Sequence, residues 1–260
     1  MKCVICGTVR NCGPYLMKVV SNMKKIGSLF EEFNVILCVD KSKDKTLSLI
    51  QRIQEENPSF VIHINKDAMY SERTANLCKA RNKYLEIIRE RFINYDYFIV
   101  MDCDNVCSQM TDVNILKYHL ENSEKWDGLT FNKNPYYDIW ALSIYPYFIN
   151  CHWFYNYQKY TMYVKKLLRN CHKNNYVSCL SSFNGFAIYK LPLFIEGKYL
   201  DKTEENLNMI PKNLIKVNLA LMNFRVKNYL KVDCEHKFFH YHAVLKKNAR
   251  LMISPQILFR

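Results

Sequence analysis

The run Asp96-Tyr97-Phe98-Ile99-Val100-Met101-Asp102-Cys103-Asp104-Asn105-Val106 constrains this chain more than any other stretch. Its apolar centre reads as a buried strand that leads directly into two carboxylates spaced i, i+2. In α/β proteins ligands bind beyond the carboxyl ends of such strands. Residues i and i+2 of an extended backbone point the same way, so Asp102 and Asp104 can both face one cation. Two hard oxygen ligands suit Mg²⁺ or Mn²⁺, with a diphosphate completing the shell. The same pair also fits a plain acidic strand-to-loop turn, and the surrounding segments have to decide.

Upstream, Cys3 to Thr8 reads as a first strand closed by the turn Gly7-Thr8-Val9-Arg10-Asn11. Pro14 suits the first turn of a helix that carries Leu16, Val19, Val20, Met23, Ile26 and Phe30 at helical spacing. Asn34 to Asp40 is a second buried strand ending on a carboxylate, and Ser42 to Thr46 caps a helix carrying Leu47, Ile50 and Ile53. Phe60 to Ile64 is a third strand, with His63 read as packed within it, and Arg73 to Phe92 is a long helix. This β-α-β-α-β-α-β order predicts an α/β fold with a doubly wound, largely parallel sheet, the Asp102 strand coming fourth. The first turn is not a GxGxxG, so the dinucleotide fingerprint is absent. Arg10 lies where a phosphate or base can be met, and Asp40 can accept hydrogen bonds from a ribose or base edge. On the long helix Arg81 has Arg73 two turns earlier on a nearby face, and one arginine there can reach a diphosphate. Each of these arginines equally fits a solvated charge.

The chain has 260 residues and 49% hydrophobic content, enough for one large α/β domain over 1–260. Its formal charge of +13 favours anionic partners, although the abundance of Lys, Asn, Ile and Tyr also fits an AT-rich coding bias. The basic residues form no dense block, which argues against a nucleic-acid arm. Eleven cysteines are scattered without zinc-ligand spacing and read as reduced thiols of a cytoplasmic protein. There is no signal-peptide pattern and no apolar run near the roughly 20 residues that span a bilayer.

Beyond residue 107 the pattern changes. Asp112 to Asn122 reads as a short helix and Trp126 to Asn132 as a strand. Pro135 to Leu142 combines aromatics with the single carboxylate Asp138, which suits either a sugar ring or ordinary core packing. Tyr145 to Tyr163 is strongly aromatic and is expected to be a lid or a membrane-surface helix. Ser178 to Lys190 reads as a strand whose internal Gly185 marks a close approach. Residues 197–214 are expected to be a surface loop. Lys231 to His240 reads as strand-like, with Asp233 and Glu235 on one side and His236 and His240 on the other. Either imidazole can supply a third ligand to Mn²⁺.

Taken together, these segments resemble nucleotide-sugar glycosyltransferases of the GT-A fold. Asp102-Cys103-Asp104 matches their DXD motif. Tyr137-Asp138-Ile139-Trp140-Ala141, Phe183-Asn184-Gly185-Phe186-Ala187, Cys234-Glu235-His236 and the upstream Ala80-Arg81-Asn82 resemble the fungal capsule-associated mannosyltransferase family and its relatives in bacteria and large DNA viruses. The last motif departs from the fungal form, which has a second Cys where His240 stands. The resemblance implies a GT-A (Rossmann-like) fold, with residues 1–107 as the nucleotide-binding half and 108–260 as the sugar and acceptor half. It implies a UDP- or GDP-sugar donor, a glycan or glycoconjugate acceptor, and no nucleic-acid partner. For a viral relative the compartment is the host cytoplasm. The DXD holds Mn²⁺ or Mg²⁺ on the donor diphosphate, with His236 or His240 as a further ligand. Thr8, Arg10, Asp40 and Arg81 serve the nucleotide, and Asp138, Trp140, Asn184 and Gly185 line the sugar or acceptor pocket. Glu235 is the first candidate for a catalytic base and Asp138 the second. A nucleotidyltransferase is the nearest alternative, disfavoured by the short turn after the first strand, which lacks a Gly-rich basic loop. A non-catalytic basic binding protein is another.

Overall fold

The structure, a computed structural model, describes residues 1–149, 157–222 and 231–260. The first half alternates as the sequence predicts: β1 (Lys2–Val9), α1 (Gly13–Gly27), β2 (Glu32–Val39), α2 (Thr46–Glu56), β3 (Val61–Ile64), α3 (Arg73–Arg91) and β4 (Tyr97–Asp102). Then come α4 (Val113–Glu121), β5 (Gly128–Asn132), α5 (Tyr157–Asn170), β6 (Val177–Ser178), β7 (Phe186–Lys190) and α6 (Leu191–Phe194). The chain closes with α7 (Thr203–Met209), α8 (Lys212–Met222), α9 (Glu235–Tyr241), a single π-helical turn (His242–Lys246) and β8 (Leu251–Ile257).

These strands form one eight-stranded sheet in the order β3-β2-β1-β4-β7-β5-β8-β6. The pairs β1–β2, β1–β4, β2–β3 and β5–β8 are parallel. β7 is wedged antiparallel between β4 and β5, and β6 is antiparallel to β8. Because β7 runs against both neighbours, β4 and β5 point the same way. The carboxyl ends of β1, β4, β5 and β8 therefore share one edge of the sheet.

Strand alternation divides the core between the two faces. Cys3, Ile5, Tyr97, Ile99 and Met101 pack with α1, α2 and α4 on one face. Val4, Cys6, Phe98 and Val100 pack with α3, α5 and α9 on the other. Asp102 continues the Phe98, Val100 series, so its side chain leaves the sheet toward α3 and α9. That parity places the acidic strand end beneath those two helices.

Three expectations are corrected. Lys231 to His240 is a loop leading into helix α9. The run has helical spacing: Asp233 pairs with Lys237 four residues on, and the rings of His236 and His240 stack at 5.6 Å. Residues 197–214 carry α7 and the start of α8, with Asn206 buried and donating to Asp233 at 3.0 Å. Of the Tyr145 to Tyr163 stretch, residues 150–156 lie outside the described residues. The part in α5 turns Tyr160 and Val164 into the core. Among the described residues no helix is long and apolar enough to cross a membrane, and every cysteine is a free thiol.

Candidate active site

Arg81 is the centre of charge at this sheet edge. On α3 it falls in register with Cys78, Leu85 and Ile88, the helix's buried stripe, and it is 3% exposed. Its Nη2 donates to Asp102 Oδ1 at 3.3 Å and its Nε to Glu235 Oε1 at 3.1 Å. The guanidinium lies over the rings of Phe183 and Tyr199, at 5.1 and 5.7 Å. One buried cation thus ties the end of β4 to the start of α9. Burial pushes the Asp102 carboxyl up to about 7, against the pull of Arg81 and aided by Asp104, Asp138 and Glu235.

The strand stops at Asp102, so the pair is not carried on extended backbone as the sequence suggested. Asp104 sits in the bend that follows, where its Oδ1 accepts the Val106 N–H at 2.8 Å and its Oδ2 the Tyr137 hydroxyl at 3.3 Å. Gly185 supports this bend from below. Its carbonyl accepts the Asp102 N–H at 2.8 Å, its φ is +87°, and a Cβ there would stand 2.6 Å from Val106 Cγ1. Asn184 is buried beside it. Its Oδ1 accepts the N–H groups of Tyr137 and Asp138, at 2.8 and 3.0 Å, and its Nδ2 donates to the Phe131 carbonyl. Asn184 and Gly185 were expected to line a sugar or acceptor pocket; neither is among the residues lining the two cavities at this edge, and both support the bend instead.

Two cavities meet at this edge. One, of about 210 Å³, lies over the ends of β1 and β2 and is lined by Thr8, Arg10, Asn11, Asp40, Asn76 and Asp104. Thr8 stands opposite Asp102 in the β1–β4 register. Asp40 is fixed by the Asn65 amide at 2.8 Å. The other, of about 230 Å³, is lined by Tyr137, Asp138, Trp140, Phe183, Glu235 and His236. Asp102, Arg73 and Leu77 line both. Arg81 opens only into the second, where its contacts with Asp102 and Glu235 are already made. The exposed Arg73 stands at the junction.

The two imidazoles separate. His240 is buried, with Nδ1 on the Ser181 hydroxyl at 2.9 Å and Nε2 on the Tyr189 hydroxyl at 2.8 Å, so neither nitrogen is left for a cation. Burial holds it down at about 3, a neutral structural ring. His236, one helical turn nearer the cavity, stacks on Phe183 at 3.8 Å, and both its nitrogens lack hydrogen-bond partners. Burial first, then Arg81 and His240, keep it well below the usual histidine range. The ring lines the cavity, but both nitrogens are shielded from solvent.

The carboxylates divide in the same way. Glu235 is neutralised by Arg81 and is 4% exposed. Asp138 lines the cavity, and burial lifts its carboxyl to about 6, against the Ala141 N–H that its Oδ1 accepts at 3.0 Å. The sequence reading missed Tyr137 and Phe183 as site residues. Tyr137 and Phe183 stand next to the named Asp138 and Asn184, so proximity in the chain was the available signal.

The donor set fits a divalent cation in part. Asp104, Asp138 and Glu235 lie close enough to Asp102 to raise its carboxyl, an excess of negative charge and hard oxygen atoms beside one buried guanidinium. Among the described residues no three potential metal-binding side chains converge on a single point. The protein therefore offers two carboxylates and leaves the remaining positions to water and phosphate, the usual arrangement for Mg²⁺.

The model for the family described as "Glycosyl transferase family 2" matches residues 4–169. No curated protein sequence matches the chain. Among solved structures it is similar to S. aureus TarS 1-349 in complex with UDP, at a TM-score of 0.53 and 13% identity, covering 100% of this chain and 59% of that one. It is also similar to TarS 1-349 in complex with UDP-GlcNAc, at a TM-score of 0.52 and 11% identity, covering 100% of this chain and 57% of that one. The chain thus spans less than two thirds of these structures, which share its fold. From the extent of the family match, this chain belongs to glycosyl transferase family 2.

Proposed function

We propose that the protein is a metal-dependent glycosyltransferase that moves a sugar from a nucleoside-diphosphate donor to a hydroxyl of a glycan or glycoconjugate. The observation that carries this reading is the placement of Asp102 in the wall shared by two adjoining cavities, with Asp104 in the bend beside it. TarS, which shares the fold, binds UDP and UDP-GlcNAc, and this supports a nucleotide in the cavity over β1 and β2. There Asp40 takes the ribose or base edge, and Thr8 and Arg10 flank the phosphates. Arg73, at the junction, meets the diphosphate.

Asp102 and Asp104 would hold Mg²⁺ or Mn²⁺, which neutralises charge developing on the diphosphate as it leaves. Trp140 and Phe183 give the sugar an apolar wall, with the neutral His236 ring stacked on Phe183. Asp138 is the base. Its raised carboxyl accepts the acceptor hydroxyl proton near neutral pH. The acceptor oxygen then forms a bond to the anomeric carbon as the carbon–oxygen bond to the diphosphate breaks, the electron pair going with the nucleoside diphosphate. This is a direct displacement, and it inverts the anomeric centre. Glu235, held by Arg81, orients the machinery and takes no proton.

The test is donor turnover. A panel of UDP- and GDP-sugars is incubated with the protein and Mn²⁺, and release of nucleoside diphosphate is measured. At least one donor is expected to turn over, with loss of about 10²-fold or more in Asp104→Ala and on chelation. Absence of metal-dependent turnover on every donor contradicts the reading.

A further inference from the structure

A large concavity lies outside this site. It is a groove of about 790 Å³ between α5, the β5-to-Tyr136 segment and the end of β8. Five cations line it: Lys133, Lys165, Arg169, Lys173 and Arg260. No acidic side chain does, among the described lining residues. Lys133 donates to the Gln109 amide oxygen, and Arg260 approaches Asp112 only at 4.0 Å. Lys165 and Arg169, one turn apart on α5, are exposed and make no ion pair with a described residue. Between the cations lie amides (Asn132, Asn134, Gln256) and apolar surface (Met162, Leu168, Pro255).

The groove's position gives this charge a use. Asn132 and Ile257 end β5 and β8 on the same sheet edge as Asp102, and these strands stand two and three places from β4. At about 4.8 Å per strand the groove floor is roughly 10–15 Å from Asp102. The chain itself joins the two sites: Tyr136 lines the groove, while Tyr137 and Asp138 line the cavity. We propose that this groove binds an anionic glycan chain, bearing phosphate, sulfate or carboxylate groups, as the acceptor whose terminal hydroxyl is presented to Asp138. The proposal rests on the glycosyltransferase reading and adds the acceptor's chemical class.

Other polyanions fit less well. A single-stranded nucleic acid needs aromatic platforms on which bases stack. The aromatic residue lining the groove, Tyr136, is buried, with its hydroxyl on Ser182 at 2.8 Å. A bilayer surface is flat and does not fill a concave groove flanked by cations and amides.

Fluorescence anisotropy with a labelled dextran sulfate oligosaccharide tests the proposal, with neutral dextran of equal length as control. The wild-type protein is expected to bind the sulfated chain and not the neutral one. Lys165→Glu/Arg169→Glu is expected to weaken binding at least ten-fold. Lys24→Glu/Lys25→Glu, an equal charge reversal at the exposed end of α1, is expected to stay within two-fold of wild type. Both variants should hydrolyse donor at the wild-type rate. Equal weakening in the two variants, or none in the groove variant, overturns the proposal. So does tighter binding of oligo(dT) or phosphatidylglycerol vesicles with the same sensitivity to the groove variant. If the wild-type protein hydrolyses no donor, the glycosyltransferase reading fails, and the anisotropy comparison still decides whether the groove takes an anionic glycan.

Discussion

Arg81 and Asp138 show what single side chains contribute here. Arg81 compensates two carboxylates in a site where water has little access. Replacing it with Met leaves Asp102 and Glu235 facing each other without a cation. Breaking a buried pair in this way costs about 3–5 kcal/mol. Denaturant titration of Arg81→Met should show a loss of that size, and Arg81→Lys should recover only part of it, because a point charge cannot serve both carboxylates through a planar fork. A loss under about 1 kcal/mol in Arg81→Met would mean that the guanidinium is solvated. Asp138 makes a kinetic prediction. As a base it must be ionised, so at saturating Mn²⁺, where Asp102 would be held as the carboxylate, kcat/KM should rise with pH through about 6 and then level. Asp138→Asn should lower kcat by about 10²-fold or more, leave the donor KM near wild type, and lose the rise. An unchanged pH profile in Asp138→Asn would return the role of base to Glu235. The sequence reading put Glu235 before Asp138 as the base; the proposal reverses that order because of Arg81, which lies 154 residues from Glu235 and whose pairing with it no local pattern shows. The arginine's place on an apolar stripe was visible in the sequence as Cys78, Arg81, Leu85 and Ile88, and it was a signal of burial.

At the scale of elements, the second half of the sheet is fastened by Asp127. This residue, just before β5, accepts from Lys190 at the end of β7 at 2.9 Å and from the Arg250 side chain and N–H before β8. Burial opposes its charge, but the Arg250 and Lys190 bonds outweigh that and hold its carboxyl near about 2. A folded value below the unfolded one stabilises the native state on the order of 2 kcal/mol above the ordinary Asp range, and this is lost as pH falls toward 2. Thermal unfolding of Asp127→Asn should therefore show a lowered Tm at pH 7 and a difference that shrinks below about pH 3. A difference that does not change with pH would assign the loss to packing. The strands of the first half were legible because each is a short apolar run bounded by turn residues. Helix α9 was not, because seven residues of mixed charge and aromatics satisfy either period. β8 was also hidden. Pro255 breaks its strand pattern, and the pairing with β5 accommodates it by a register shift, Phe131 facing Ser254 and Asn132 facing Ile257.

At the scale of the whole molecule, the alternation of strands and helices predicted a parallel sheet for the first half, and the structure has one, in the order β3-β2-β1-β4. The antiparallel insertion of β7 beside β4 was not predictable, since it joins segments more than 80 residues apart and no local pattern encodes the pairing. That insertion makes the site. It brings Asn184 and Gly185 beneath the acidic bend and aligns the ends of β4, β5 and β8 along one edge, from the cavity over β1 and β2 to the basic groove. The Asp pair is the hinge of this arrangement, and calorimetric titration of UDP and GDP with and without Mn²⁺ examines it most directly. The account predicts that Mn²⁺ tightens one nucleoside diphosphate at least ten-fold in the wild-type protein and has no such effect in Asp104→Ala. Equal affinity with and without Mn²⁺, or the same tightening in Asp104→Ala, would contradict the claim that metal and diphosphate meet at the end of β4.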